Sequence, residues 1–183
     1  ASRDEVTSVI SDYLESGVRT FLALRGDPPV SDSQWHAQPG DVASATELVT
    51  LIKALEDRRK STEPGAALRA AFKPLTIAVA TFPSGNPEAG TTPEQEIERL
   101  LVKQAAGASF AITQLFFDPE AYCSFTRKAR AYGVTIPIVA GILVPTDPGR
   151  LARVAELTKV QAPEFLLDDL ARAANDEDQY QRG

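Results

Sequence analysis

The chain is poor in the residues that staple or metal-clamp a fold. Its one cysteine, Cys123, cannot close an internal disulfide, and its one histidine, His36, leaves no histidine cluster for zinc, so no metal site is expected. Excess positive charge is also missing. With 19 Lys and Arg against 25 Asp and Glu, the net charge is −6, which excludes the basic stripe that nucleic acid or an anionic membrane surface requires. Long apolar runs are absent. The longest, at about residues 137–145, falls far short of the roughly 20 residues of a membrane-spanning helix. The polar start Ala1-Ser2-Arg3-Asp4-Glu5 lacks the pattern of a secretory signal, and the expected compartment is the cytoplasm. There is no methionine at all, so a removed leader or a place inside a longer protein is expected.

What is present is enough for a core. At 183 residues and 43% apolar, a globular chain buries roughly 70% of the surface its unfolded form exposes. A single domain over 1–183 is expected, with 163–183 as an acidic helical stretch and tail.

The apolar spacing predicts a β/α alternation. Val6, Val9, Ile10, Tyr13 and Leu14 share one helix face behind a Ser2/Glu5 capping box, with Gly17 as the stop. A short strand-like run, 18–24, follows and ends in Arg25-Gly26-Asp27-Pro28-Pro29, from which a long loop reaches about Gly40. A second box, Ser44/Glu47, opens a helix with Leu48, Leu51, Ile52 and Leu55 inside, giving out near Lys60. A turn or short helix at 66–72 precedes the strand 75–80 and the loop Phe82-Pro83-Ser84-Gly85-Asn86-Pro87. Thr92 caps and Pro93 starts a third helix, closed by Gly107; the strand 110–115 comes next. Asp118-Pro119 opens a helix carrying Tyr122, Phe125 and Ala129, closed by Gly133. A fourth strand is expected at 136–142, a helix from Asp147-Pro148, and a last helical stretch from Pro163. This is a parallel α/β pattern with right-handed crossovers. Whether the sheet stays open or closes into a barrel is undecided by spacing, and four strands in this length favour the open form.

In either arrangement ligands bind at the C-terminal ends of the strands. Arg25 and Asp27, the 82–87 loop, Gln114 with Phe116 and Phe117, and Gly141 all fall there. A carboxylate at such a place stabilises a cation developing on a bound heterocycle, and a carboxamide both donates to and accepts from a ring edge. Each has a plainer reading. Asp27 suits a turn, Phe116 and Phe117 suit the core, Asp118 is a helix cap, and His36 beside Trp35 is a solvated loop residue. Cys123, with no activating neighbour, is expected to be a buried thiol. Gln114 in an apolar run is harder to dismiss, because a buried carboxamide must find partners.

Three segments carry a resemblance. Leu22-Ala23-Leu24-Arg25-Gly26-Asp27-Pro28-Pro29, then Ala106-Gly107-Ala108-Ser109-Phe110-Ala111-Ile112-Thr113-Gln114-Leu115-Phe116-Phe117-Asp118, then Pro137-Ile138-Val139-Ala140-Gly141-Ile142 resemble the methylenetetrahydrofolate reductase family in order and spacing. The likeness implies an eight-stranded β/α barrel of the TIM type, this chain covering about its fourth to seventh β/α units. It implies reduction of 5,10-methylenetetrahydrofolate to 5-methyltetrahydrofolate by hydride transfer. Asp27 would stabilise the iminium cation and Gln114 would contact the pterin, the two standing on adjacent strands around a common hollow. Arg25, Gly26, Phe82 and Lys103 would face the cofactor. The family's acid glutamate ends the first strand, which has no counterpart here, so this chain alone is expected to be incomplete as an enzyme.

The flavin contacts depart from the family pattern. The 82–87 loop replaces both the acid and the histidine of the family's motif, and Ser44 stands where a tyrosine is usual. Arg99 and Val102 replace an asparagine and an arginine, with Lys103 retained. The resemblance therefore implies that FAD is held weakly or not at all, as in a flavin-free branch of the family. NADH is then the direct donor, NADPH being the other candidate. Two further readings are a related barrel oxidoreductase using a deazaflavin or another pterin, and a folate-binding module without catalysis.

Overall fold

The computed structural model describes residues 2–26, 38, 40–158, 160 and 162–175. Among these residues eleven elements follow in order: α1 (Arg3–Glu15), β1 (Thr20–Ala23), α2 (Ala45–Thr62), α3 (Pro64–Phe72), β2 (Thr76–Thr81), α4 (Pro93–Ala106), β3 (Phe110–Thr113), α5 (Pro119–Ala131), β4 (Ile138–Val139), α6 (Pro148–Thr158) and α7 (Glu164–Asn175).

The four strands make one parallel sheet in the order β1-β2-β3-β4. A doubly wound sheet reverses direction at a switch point. This one never does, so right-handed crossovers carry every connecting helix to the same face. That is the arrangement of a β/α barrel segment, and it decides against the open flavodoxin-like alternative. Ala23, Val79, Ala111 and Ile138 form one register row, all buried. They pack with Ile52, Ile97, Leu100 and Phe125 from the helices. Each such side chain, fully buried, contributes on the order of 1.5–3 kcal/mol. The opposite face is the one that lines a barrel's interior, and there Leu22 and Val139 are about half exposed.

Local signals set most helix ends. Ser2 and Glu5 cap α1 reciprocally, as do Thr92 and Gln95 on α4, where Pro93 is the first helical residue. Gly107 then ends α4 with φ +108, a conformation that side chains with a Cβ disfavour.

Four expectations need correction. Ser44 accepts from the Glu47 amide, but the Glu47 carboxylate takes the Ala43 amide and not that of Ser44, so the box is half formed. β3 ends at Thr113, leaving Gln114 just past the strand. β4 has only two residues, because the Gly141 amide donates to the Thr113 hydroxyl instead of extending the ladder. Cys123 is exposed; it sits nearly half a turn round α5 from the buried Phe125 and about a third of a turn from the buried Ala129. Among the described residues no helix is long and apolar enough to cross a membrane.

Candidate functional site

The C-terminal ends of β1, β2 and β3 open into two clefts that share a wall. The first, of about 630 Å³, lies between the 82–87 loop, the segment after β3 and the α6–α7 connection; Gln114, Phe116, Phe117 and Phe165 line it. The second, of about 710 Å³, lies between the ends of β1 and β2, the start of α2, and α4; Arg25, Ser44, Arg99 and Lys103 line it. Phe82 faces both.

Gln114 is held by its own backbone neighbourhood. Its amide N–H donates to the Thr81 carbonyl on β2 at 2.7 Å, and its side-chain Oε1 accepts from the Leu115 N–H at 2.8 Å. Among the described residues nothing takes its NH2 group. Phe116 stacks on Tyr122, centroids 5.2 Å apart and planes 5° from parallel, and the Tyr122 hydroxyl donates to the Ile138 carbonyl at 2.9 Å. One face of Phe116 is thus committed to packing. Asp118 caps α5 by accepting from the Glu120 amide.

In the second cleft, Lys103 Nζ donates to the Ala80 carbonyl at 2.8 Å. Burial pushes the Lys103 ammonium below its ordinary pKa; nearby Glu96 opposes that shift and Arg99 adds to it. Glu96 is itself fully buried, accepting from the Thr91 hydroxyl at 2.7 Å and pairing with Arg99 at 3.3 Å. Arg25 is exposed. In the shared wall, Asn86 accepts from the Glu88 and Ala89 amides, and Gly85 turns with φ +84.

The predicted residues are therefore not all brought together. Gln114 faces the first cleft, Arg25 and Lys103 face the second, Phe82 stands between them, and Gly26 is exposed at the end of the described segment. Asp27, Trp35 and His36 lie outside the described residues. Since β2 separates β1 from β3, the strands leading to Asp27 and to Gln114 are not adjacent, which corrects that expectation.

Sequence reasoning missed Thr81 and Thr113, register partners at the ends of β2 and β3, both buried. Among the described residues the Thr81 hydroxyl has no partner. A threonine closing each of two apolar runs was the available signal. The buried Glu96, in the first turn of α4, has no sequence signature distinct from a solvated helix acid.

The comparisons with known proteins agree with this geometry. A family model described as methylenetetrahydrofolate reductase matches residues 1–183. A 5,10-methylenetetrahydrofolate reductase of Pectobacterium carotovorum subsp. carotovorum is 34% identical over 166 residues, covering 91% of this chain and 48% of that protein. The Escherichia coli K12 protein of the same name is 31% identical with the same coverage. A probable methylenetetrahydrofolate reductase (NADPH) of Caenorhabditis elegans is 33% identical, with 22% of its length covered. The chain spans about half the length of the bacterial relatives it matches. Matched along its whole length, with consecutive parallel strands and its polar residues gathered at their C-terminal ends, the chain belongs to the methylenetetrahydrofolate reductase family.

Proposed function

We propose that this chain supplies the folate- and nucleotide-facing wall of an enzyme that reduces 5,10-methylenetetrahydrofolate to 5-methyltetrahydrofolate. The observation carrying this reading is Gln114, placed past β3 in a cleft that four phenylalanines also line, with its NH2 unclaimed among the described residues. Flat heterocycles suit such a lining: ring faces meet Phe82 and Phe117, while the carboxamide meets a ring edge.

In the reaction, the bond from the methylene carbon to N10 breaks as N10 takes a proton, leaving an iminium cation at N5. Hydride then adds to the methylene carbon and completes the methyl group. The Asp27 carboxylate lowers the barrier by opposing the cationic charge, and Gln114 fixes the pterin edge. The proton for N10 comes from a group outside this chain.

The donor set matches a resident flavin dinucleotide poorly. Arg99 gives one guanidinium nitrogen to Glu96, as Lys103 gives one donor to the Ala80 carbonyl, the Asn86 oxygen accepts within its own turn, and Val102 is apolar. Arg25, Gly26, Lys103 and the outer edge of Arg99 remain to meet a diphosphate. That modest set suits a nicotinamide nucleotide, a co-substrate that must leave each turnover, and NADH is the proposed donor. The cytoplasm is the proposed compartment, and 1–183 a single partial-barrel unit.

The test is the intact protein's visible spectrum together with NADH oxidation dependent on methylenetetrahydrofolate. A colourless protein forming 5-methyltetrahydrofolate is expected. Stoichiometric FAD would overturn direct transfer. Folate binding with no product from NADH, NADPH or a reduced deazaflavin would overturn the reaction.

A further inference from the structure

Thr113 and Gly141 stand beside Gln114 and line neither cleft. The Gly141 amide donates to Thr113 Oγ1 at 2.8 Å, tying the chain after β4 to the end of β3. Gly141 has no Cβ, and one built there would overlap the Thr113 carbonyl oxygen and approach the Gln114 carbonyl carbon to 3.5 Å. On the other side, the Gln114 amide is bonded to Thr81 of β2. Gln114 is thus bonded to β2 through its own amide, and the residue before it, Thr113, is tied through its hydroxyl to the chain after β4. With the backbone fixed, the Leu115 N–H meets the side chain. An N–H donor can only be met by an acceptor, so the carboxamide oxygen is committed to the backbone, and the NH2 is the group left over on a side chain that lines the cleft.

We propose that Thr113 and Gly141 are positioning residues that hold Gln114 as a hydrogen-bond donor, so that the cleft selects a ligand edge presenting an acceptor, a carbonyl oxygen or an unprotonated ring nitrogen. This rests on the folate reading of the cleft. The barrier to any other polarity is physical: turning the carboxamide over would leave the Leu115 amide facing an NH2 group.

The test is a double-mutant cycle in the intact enzyme, reading KM for the folate, KM for NADH and kcat separately. Thr113→Val keeps the side chain's shape and removes the hydroxyl acceptor. It is expected to raise the folate KM about three- to tenfold, the size of one net hydrogen bond, with the NADH KM unchanged. Thr113→Ser is expected to restore the folate KM to within about twofold. In a Gln114→Ala background, Thr113→Val should add little, because the residue it acts through is gone. Should Thr113→Val fail to fold, Thr113→Ala is read in the same cycle, and Thr113→Ser alone must remain near wild type. Additive losses, equal effects on both substrates, or no rescue by serine overturn the positioning role while leaving the folate reading intact. If Gln114→Ala itself leaves folate binding unchanged, both fall.

Discussion

Arg19 and Glu56 form a two-point ion pair in the interior, Nη1 to Oε2 at 2.8 Å and Nη2 to Oε1 at 2.5 Å, with side chains 7% and 3% exposed. Arg19 precedes β1 and Glu56 lies on α2; Arg19 Nε also donates to the Lys73 carbonyl just before β2. One guanidinium therefore ties two strand entries to the helix layer, at the end of the sheet opposite the clefts. Glu56→Ala, which strands the cation, should cost about 3–5 kcal/mol. The paired replacement Arg19→Met with Glu56→Leu should cost far less. Urea unfolding of both variants checks this, and equal losses would show that the pair itself is not the cause.

The same pair gives stability a pH dependence. The Arg19 hydrogen bonds hold the Glu56 carboxyl below its ordinary value of 4.5, against the opposing effect of burial. Its contribution is fully present above about that pH and is lost as pH falls through the lower folded-state value. Exposed Glu5 and Glu94 shift in the same direction, so the comparison is with Glu56→Gln, whose unfolding free energy should fall less steeply with acid. Parallel slopes would assign the acid sensitivity elsewhere.

At Gly85, φ is +84 and an added Cβ would overlap the Thr91 carbonyl oxygen. The Asn86 amide bonds that same carbonyl at 3.1 Å, so the loop cannot relax without breaking its own bridge. Gly85→Ala should cost on the order of 1–3 kcal/mol and weaken folate binding by displacing the Phe82 wall. Thermal unfolding with a binding titration would show both effects together.

For Lys103, burial already disfavours the charge, so Lys103→Met should leave the thermal midpoint nearly unchanged. If it meets the nucleotide diphosphate, the NADH KM rises severalfold while the folate KM does not. Steady-state kinetics with each substrate varied decides, and an unchanged NADH KM would confine Lys103 to holding the Ala80 carbonyl.

Asp27→Asn in the intact enzyme should lower kcat at least about a hundredfold if the carboxylate offsets the iminium charge, in keeping with the size of single electrostatic contributions to a transition state. Circular dichroism should be unchanged. Turnover close to wild type would remove Asp27 from the reaction.

The helix ends were legible in the sequence because each depends on neighbours three or four residues apart. Ser2 finds Glu5, Thr92 finds Gln95, and Gly107 relieves a left-handed turn whatever the rest of the chain does. Ser44 shows the limit even there, since Glu47 had a competing donor in Ala43. The clustering of Arg25, the 82–87 loop and Gln114 at strand ends was legible too, because parallel strands must all point one way.

Pairings across the sheet were not legible. Arg19 and Glu56 are 37 residues apart and Thr113 and Gly141 are 28 apart, and no local pattern marks either partner as belonging to the other. Sequence by itself determined the element types, their boundaries to within a few residues, and which end of the sheet holds the polar side chains, all consequences of short-range periodicity. Only the tertiary structure decided that β2 stands between β1 and β3, that the site divides into two clefts, and that Gln114 commits its carboxamide oxygen to the Leu115 amide. Those depend on strand order and register, which are settled by long-range burial and hydrogen bonding.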